Sequence, residues 1–242
     1  MNVEDTKEKI RLMKLYGMIR AYDNLLDTRH EQDLSVDEAL SFLVDAEWEE
    51  RYNRKLFRLL KAAKFRYTAS FSEIDFQKPR NINKGNMMRF ANSDWIKKAE
   101  SIIITGATGL GKSFLSCAFG HQACINGYRV LYFNCLKLFP FLLQAKGDGT
   151  YTREMKKIKN QDLIILDDFG LHVLDGYSRL ILLEIFEDRH GIKSTVITSQ
   201  LPPNKWHEVI GNATVADAIC DRIVHSSHKI NMEGDSMRKI NQ

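Results

Sequence analysis

The stretch that most constrains this 242-residue chain is Gly106-Ala-Thr-Gly-Leu-Gly111-Lys112-Ser113. It fits G-x-x-x-x-G-K-[ST] completely, comes after the apolar run "SIIIT" and opens "KSFLSCAFGHQACIN", a helical stretch that Gly127 is placed to close. Strand, glycine turn and helix in that order make a phosphate cradle. The glycines take torsions that other residues resist and bring amide N–H groups close to phosphate oxygens. The helix N-terminus adds partial positive charge at the same place. Gly106, Ala107, Thr108, Gly109, Leu110, Gly111, Lys112 and Ser113 are therefore expected to bind ATP. Lys112 would reach the β- and γ-phosphates and Ser113 would ligate Mg²⁺.

From Ala99 onward, strands are predicted at "SIIIT", "RVLYFN", "DLIILDD", "STVITSQ" and "HKINM", with helical stretches between them. Apolar runs alternating with helices imply an α/β fold, a mainly parallel five-stranded sheet covered on both faces. Upstream, Lys7 to about Lys64 reads as helical, with Ile10, Leu12, Met13, Leu15, Met18, Ile19, Tyr22, Leu25 and Leu26 at three-to-four-residue steps. Ser35 with Glu38 three residues later has the form of a capping box. Between these parts lies an irregular segment, with Pro79 and Gly85 as breakers and Phe71 and Phe76 expected to pack on the downstream core. The organisation is thus a helical N-terminal domain over 1–68, a linker and start of the core over 69–98, and the nucleotide-binding core over 99–242.

Composition narrows the class further. Hydrophobic residues at 44% and charged residues at 27% fit a globular protein. No run approaches the ~20 apolar residues of a membrane span, and the acidic start is unlike a secretory signal. Cys117, Cys124, Cys135 and Cys220 show neither zinc-ligand spacing nor the density of a disulfide scaffold, so buried, reduced thiols in a cytoplasmic protein are expected. His225 and His228 lack a third ligand, and no metal site is read there.

A triphosphate site needs a magnesium carboxylate, and "LIILDDFG" supplies one. Its four apolar residues form a buried strand that puts Asp167 at the C-terminal end, where open α/β sheets bind ligands. Asp167 is expected to hold Mg²⁺, and Asp168 to face the attacking water as general base or orienter. The same two acids could simply end a strand and begin a turn. In "STVITSQLPP", Ser199 or Gln200 could bond the γ-phosphate or its water, or could mark only a strand-to-turn transition. Arg222 in "ADAICDRIVHSS" reads either as an arginine finger reaching a neighbouring subunit's nucleotide or as a surface residue paired with an acid.

The net charge of +4 hides a segregation: residues 1–50 carry six Lys/Arg against thirteen Asp/Glu, whereas 51–98 carry thirteen against three. "RYNRKLFRLLKAAKFRY" puts Arg51, Arg54, Lys55, Arg58, Lys61 and Lys64 on a basic helix face opposite Leu56, Phe57, Leu59 and Leu60. Such a stripe favours contact with a nucleic-acid backbone without base specificity. The acidic helices before it offer a competing partner.

Taken together, "LMKLYGMIRAYDNLL", "FLVDAEWEERYNRKLFRLLKAAKF", "GATGLGKS", "LIILDDFG", "ITSQLPPNKWHEVIG", "DAICDRIVHSSHKI" and "GDSMRK" make the chain resemble the IstB-like ATPases. These are transposition helpers of bacterial insertion sequences, similar to DnaC-type helicase loaders and belonging to the AAA+ superfamily. The resemblance implies a DNA-binding AAA+ ATPase that assembles as a homo-oligomer on double-stranded DNA and cooperates with a cognate transposase. Helicase loading is the nearest alternative function. It also implies that Asp167 and Asp168 are the paired acids, Ser199 or Gln200 the first polar sensor and Arg222 the trans-acting arginine. Two features depart from the AAA+ pattern. Only 42 residues come after Gln200, too few for a full helical lid, so a reduced or absent lid is expected and Arg238 has no assigned role. Asp168 stands where many AAA+ proteins carry glutamate. A small-molecule kinase would need an acceptor pocket and an Arg-bearing lid, and a nucleotide-gated adaptor would hydrolyse little ATP.

Overall fold

The five predicted runs form strands β1 (Ser101–Gly106), β2 (Val130–Asn134), β3 (Leu163–Phe169), β4 (Ser194–Ser199) and β5 (Ser227–Met232). The computed structural model describes residues 2–28 and 34–237. All strand pairs are parallel, in the order β2-β3-β4-β1-β5. Each of the three central strands is buried on both sides, which is why "IIIT", "LIIL" and "TVIT" read as continuous apolar runs.

Alternation along the strands divides the core into two layers. Ile103, Ile164, Leu166 and Ile197 join one cluster with α7 (Cys135–Gly147), α9 (Gly176–Arg189) and α11 (Ala213–Val224). The opposite face meets α6 (Lys112–Ile125), which packs on β1, β3 and β4. Helix α6 ends as its sequence foretells: Gly127 has φ +87°, its N–H donates to Cys124, and the N–H of Tyr128 donates to Ala123. The remaining helices of this part are α8 (Tyr151–Lys159) and the short α10 (Trp206–Ile210).

The chain divides into two compact units, Met1–Arg58 and Leu59–Gln242. In the first, the helical pattern resolves into α1 (Val3–Leu12), α2 (Tyr16–Thr28) and α3 (Val36–Ala63), the last of which continues into the second unit. The capping box at the start of α3 is formed: the Ser35 N–H donates to the Glu38 carboxylate at 2.8 Å, and the Glu38 N–H donates to Ser35 Oγ at 3.3 Å. Helices α2 and α3 touch through Gly17, where a Cβ would lie 2.2 Å from the Ala46 carbonyl oxygen. There the buried Glu47 carboxylate accepts the N–H groups of Gly17 and Met18, capping α2 from its neighbour.

The segment before β1 is less irregular than its sequence suggests. It contains a short 3₁₀ turn at Phe71–Glu73 and helices α4 (Lys84–Met88) and α5 (Asp94–Lys97). Gly85, a breaker by sequence, lies inside α4, because Asn83 caps that helix by accepting the N–H of Asn86. Phe71 packs edge-on against Phe119 of α6, with centroids 5.3 Å apart. Cys117, Cys124 and Cys135 are buried and Cys220 is half-buried. Burial pushes the Cys117 and Cys124 thiols up to about 11 and about 12.

Candidate nucleotide site

The phosphate loop joins β1 to α6. Gly106, Gly109 and Gly111 have φ of +144°, +90° and +89°, and no side chain caps the N-terminus of α6. Lys112 is buried, and its ammonium donates to the carbonyl oxygens of Gly106 (2.7 Å) and Ala107 (2.8 Å). Ser113 is half-buried in the first turn of α6, while Ala107 and Thr108 are exposed.

The outer side of the loop is buttressed from two directions. The buried Arg80 donates to the Leu110 carbonyl at 3.1 Å, and the Met237 N–H donates to the Gly109 carbonyl at 2.9 Å. A Cβ on Gly109 would lie 2.1 Å from Ser236 Oγ, so this glycine admits the C-terminal segment as well as the loop torsion. Arg238 lies outside the described residues.

The two acids sit on a β-bulge. Leu166 pairs with Ile197 and Phe169 with Ser199, so Asp167 and Asp168 together oppose Thr198 alone. Asp168 has φ +60°, and its N–H donates to Thr198 Oγ1 at 3.0 Å. Neighbours in a regular strand point to opposite faces. Here the Arg66 guanidinium reaches both carboxylates, 3.4 Å from Asp168 Oδ2 and 3.7 Å from Asp167 Oδ2. The bulge therefore turns both acids to one side.

Asp167 is wholly buried and accepts hydrogen bonds from the hydroxyls of Tyr132 and Thr198. Burial, then the hydrogen bond to Asp167, holds the Tyr132 phenol well above its ordinary value, so it remains a donor. Asp168 is more open and accepts from Asn134 Nδ2 at 2.9 Å. Asn134 is fixed at its other end, because its Oδ1 caps α7 by accepting the Leu136 N–H. Partial burial works against the charge of Arg66, but Tyr67, Tyr132 and Asp167 outweigh it and raise its pKa.

Sequence reasoning missed Tyr132, Asn134, Thr198 and Arg66. The first three carried a signal: they are polar positions within apolar strand runs, on the same alternation as the apolar residues facing α6. Of the two proposed polar sensors, Ser199 is buried; its hydroxyl donates to the Phe169 carbonyl and accepts the Leu201 N–H. Gln200 is exposed. Arg222 forms a two-pronged ion pair with Glu187 on α9, both contacts at 2.6 Å, and donates to the Ala218 carbonyl at 2.7 Å.

Arg51, Arg54, Lys55, Arg58 and Lys61 are exposed on α3, and Lys64 is exposed just beyond its end with φ +56°. The acidic residues do claim part of this stripe, through Arg51–Glu47 at 2.6 Å and Arg54–Glu50 at 3.5 Å. Among the described residues no carboxylate pairs with Lys55, Arg58, Lys61 or Lys64.

Loop amides, the Lys112 ammonium, the Ser113 hydroxyl and the buried Asp167 carboxylate on β3 make a donor set suited to a nucleoside triphosphate and a hard cation. A family model described as "IstB-like ATP binding protein" matches residues 8–242. The chain belongs to the IstB-like ATP-binding family. It is 43% identical over 239 residues to the insertion sequence ATP-binding protein y4pL of Sinorhizobium fredii, covering 99% of this chain and 98% of that one. It is 37% identical over 203 residues to the ATP-binding protein of insertion sequence IS1162 from Pseudomonas fluorescens, covering 84% and 88%. Its fold is that of AAA+ P-loop proteins. The DnaC helicase loader superposes with a TM-score of 0.59 at 19% identity, covering 69% of this chain and 98% of that one; DnaI gives 0.60 at 21%, covering 73% and 94%. Among the described residues of this IstB-like protein, no helix is long and apolar enough to cross a membrane.

Proposed function

We propose that this IstB-like protein is a cytoplasmic ATPase that assembles as a homo-oligomer on duplex DNA and works with a cognate transposase, ATP hydrolysis controlling assembly and release. The hydrolytic part rests on one observation, the bulge that turns Asp167 and Asp168 to the same side behind a complete phosphate loop. The loop amides and Lys112 bind the triphosphate, the ammonium exchanging the carbonyls of Gly106 and Ala107 for phosphate oxygens. Ser113 and Asp167 would hold Mg²⁺, which when bound offsets charge on the phosphates. Asp168 orients water and accepts its proton, held in place by Asn134 and by the Thr198 hydroxyl behind its own N–H. Either Ser199, through the bulge it ties to Leu201, or the exposed Gln200 reports the γ-phosphate.

The assembly part is supported by the exposed cations of α3 and by Lys64 just beyond it, four of which (Lys55, Arg58, Lys61 and Lys64) no described carboxylate neutralises, and by the insertion-sequence names of the relatives. In the oligomer Arg222 leaves Glu187 and meets the nucleotide of the next subunit. The helical segment 1–68 engages DNA and the core 99–242 turns over ATP. Asp168→Asn tests the reading: with ATP and duplex DNA it traps a long-lived assembly that wild type takes apart. Disassembly at the wild-type rate would refute the role of Asp168. Capture of the replicative helicase instead of the transposase would replace transposition with helicase loading.

A further inference from the structure

Arg66 lies outside the phosphate loop, yet it touches both acids. Its guanidinium lies 3.4 Å from Asp168 Oδ2, the same oxygen that accepts from Asn134 at 2.9 Å. With two donors on one oxygen, Asp168 has fewer free lone pairs to offer water. The side chain is nonetheless 42% exposed, so a competing anion can reach it. Arg66 also lines a cleft of about 1090 Å³ beside Asp168, whose walls carry Lys64, Lys137 and Lys157 among apolar residues such as Phe133, Leu136 and Phe141. Lys157 is engaged by Glu154 at 2.8 Å. Arg66 lies only three positions beyond the last residue of α3.

We propose that Arg66 is a positioning residue that restrains Asp168, and that backbone phosphates of duplex DNA entering this cleft draw its guanidinium off the acid. Arg66 reaches both acids through Nη1 alone, whereas its guanidinium can hold a phosphate through two N–H groups, so the exchange offers Arg66 at least as many hydrogen bonds while returning Asp168 Oδ2 to solvent. The coupling rests on the proposed DNA-dependent ATPase and adds to it the element through which DNA acts.

The test measures ATP turnover by wild type, Arg66→Ala and Arg66→Lys, each with and without non-specific duplex DNA, alongside binding of a fluorescent ATP analogue. Arg66→Ala should turn over ATP without DNA at close to the DNA-stimulated wild-type rate, and its stimulation ratio should fall to about one. Arg66→Lys, which keeps the charge but loses the fork, should show a ratio between the two. Analogue affinity near that of wild type in all three shows that the site is folded. A wild-type stimulation ratio preserved in Arg66→Ala overturns the coupling and leaves the DNA-dependent ATPase standing. Wild type that ignores DNA overturns the ATPase reading itself and the coupling with it. Loss of turnover in Arg66→Ala with intact analogue binding also overturns the restraint, because it would make Arg66 an activator.

Discussion

Thr198 holds the bulge together from the opposing strand, and replacing it with valine isolates that role. Valine keeps the shape of a side chain that is fully buried but removes the hydroxyl. Two interactions are lost: the hydrogen bond donated to the Asp167 carboxylate, and the one accepted from the Asp168 N–H at 3.0 Å. Hydrogen bonds to charged groups contribute about 1.5–3 kcal/mol, and a buried donor left unpaired costs about 1–3 kcal/mol. Because the Asp168 N–H is only partly buried, the lower end of the second range applies, and the expected loss is about 2.5–4 kcal/mol. Urea unfolding should show it as a lower midpoint at unchanged slope. Thr198→Ser keeps both hydrogen bonds and gives up one methyl, about 1 kcal/mol. In turnover, Thr198→Val releases Asp168 from its φ of +60°, and misplacement of a reacting group by ~1 Å costs on the order of 100-fold. The KM for ATP should move little, since the phosphate loop is untouched. Wild-type stability and turnover in Thr198→Val would refute this account of the bulge, as would a serine variant as damaged as the valine one.

The same geometry sets three further outcomes. Asp162 joins the starts of three strands through Lys193 at 2.7 Å and the backbone and side chain of Arg129; burial opposes its charge, but these partners lower its pKa from 3.8 to about 2. A depressed carboxyl stabilises the fold above its unfolded pKa and loses that contribution as pH falls through the folded one. Asp162→Asn should therefore remove about 1–2 kcal/mol near neutral pH, after allowance for solvent at the half-exposed Arg129, and flatten the stability decline between about pH 4 and pH 2. If the variant declines as steeply as wild type, Asp162 is not the group responsible. Arg222→Ala and Lys112→Ala should each abolish turnover, yet their mixture should regain a fraction of it, because one variant's intact site can meet the other's arginine; no recovery in mixed assemblies argues that Arg222 acts only on Glu187. Arg58→Glu with Lys61→Glu should weaken duplex binding at every sequence and reduce the salt-dependence slope by about 2, at ~0.9 per phosphate contact. An unchanged slope would assign the stripe to subunit packing.

The three central strands were legible because parallel strands buried on both faces must be apolar along their length; edge strand β5, with His228, Lys229 and Asn231 exposed, shows only alternation. The phosphate loop was legible because backbone torsion and amide geometry demand glycine at fixed steps. The arrangement around the acids was not. Arg66 and Asp168 are 102 residues apart, and Thr198 lies 30 beyond Asp168, so only the fold brings them together. A bulge also leaves no mark in a strand whose composition stays uniform, and "LIILDDFG" reads the same with or without one. Gly85 misled for the opposite reason: a local helix-breaking tendency of about 1 kcal/mol is overridden by the cap that Asn83 supplies. The partner of Arg222 was foreseeable in kind, since a surface arginine commonly finds an acid, but Glu187 could not be singled out among the acids of α9.

ATP turnover and native assembly mass, measured together with and without non-specific duplex DNA, test the central claim most directly, with Lys112→Ala as control. The account predicts hydrolysis that DNA raises, that Lys112→Ala abolishes, and that accompanies large ATP-dependent assemblies. A monomer whose turnover ignores DNA would contradict it.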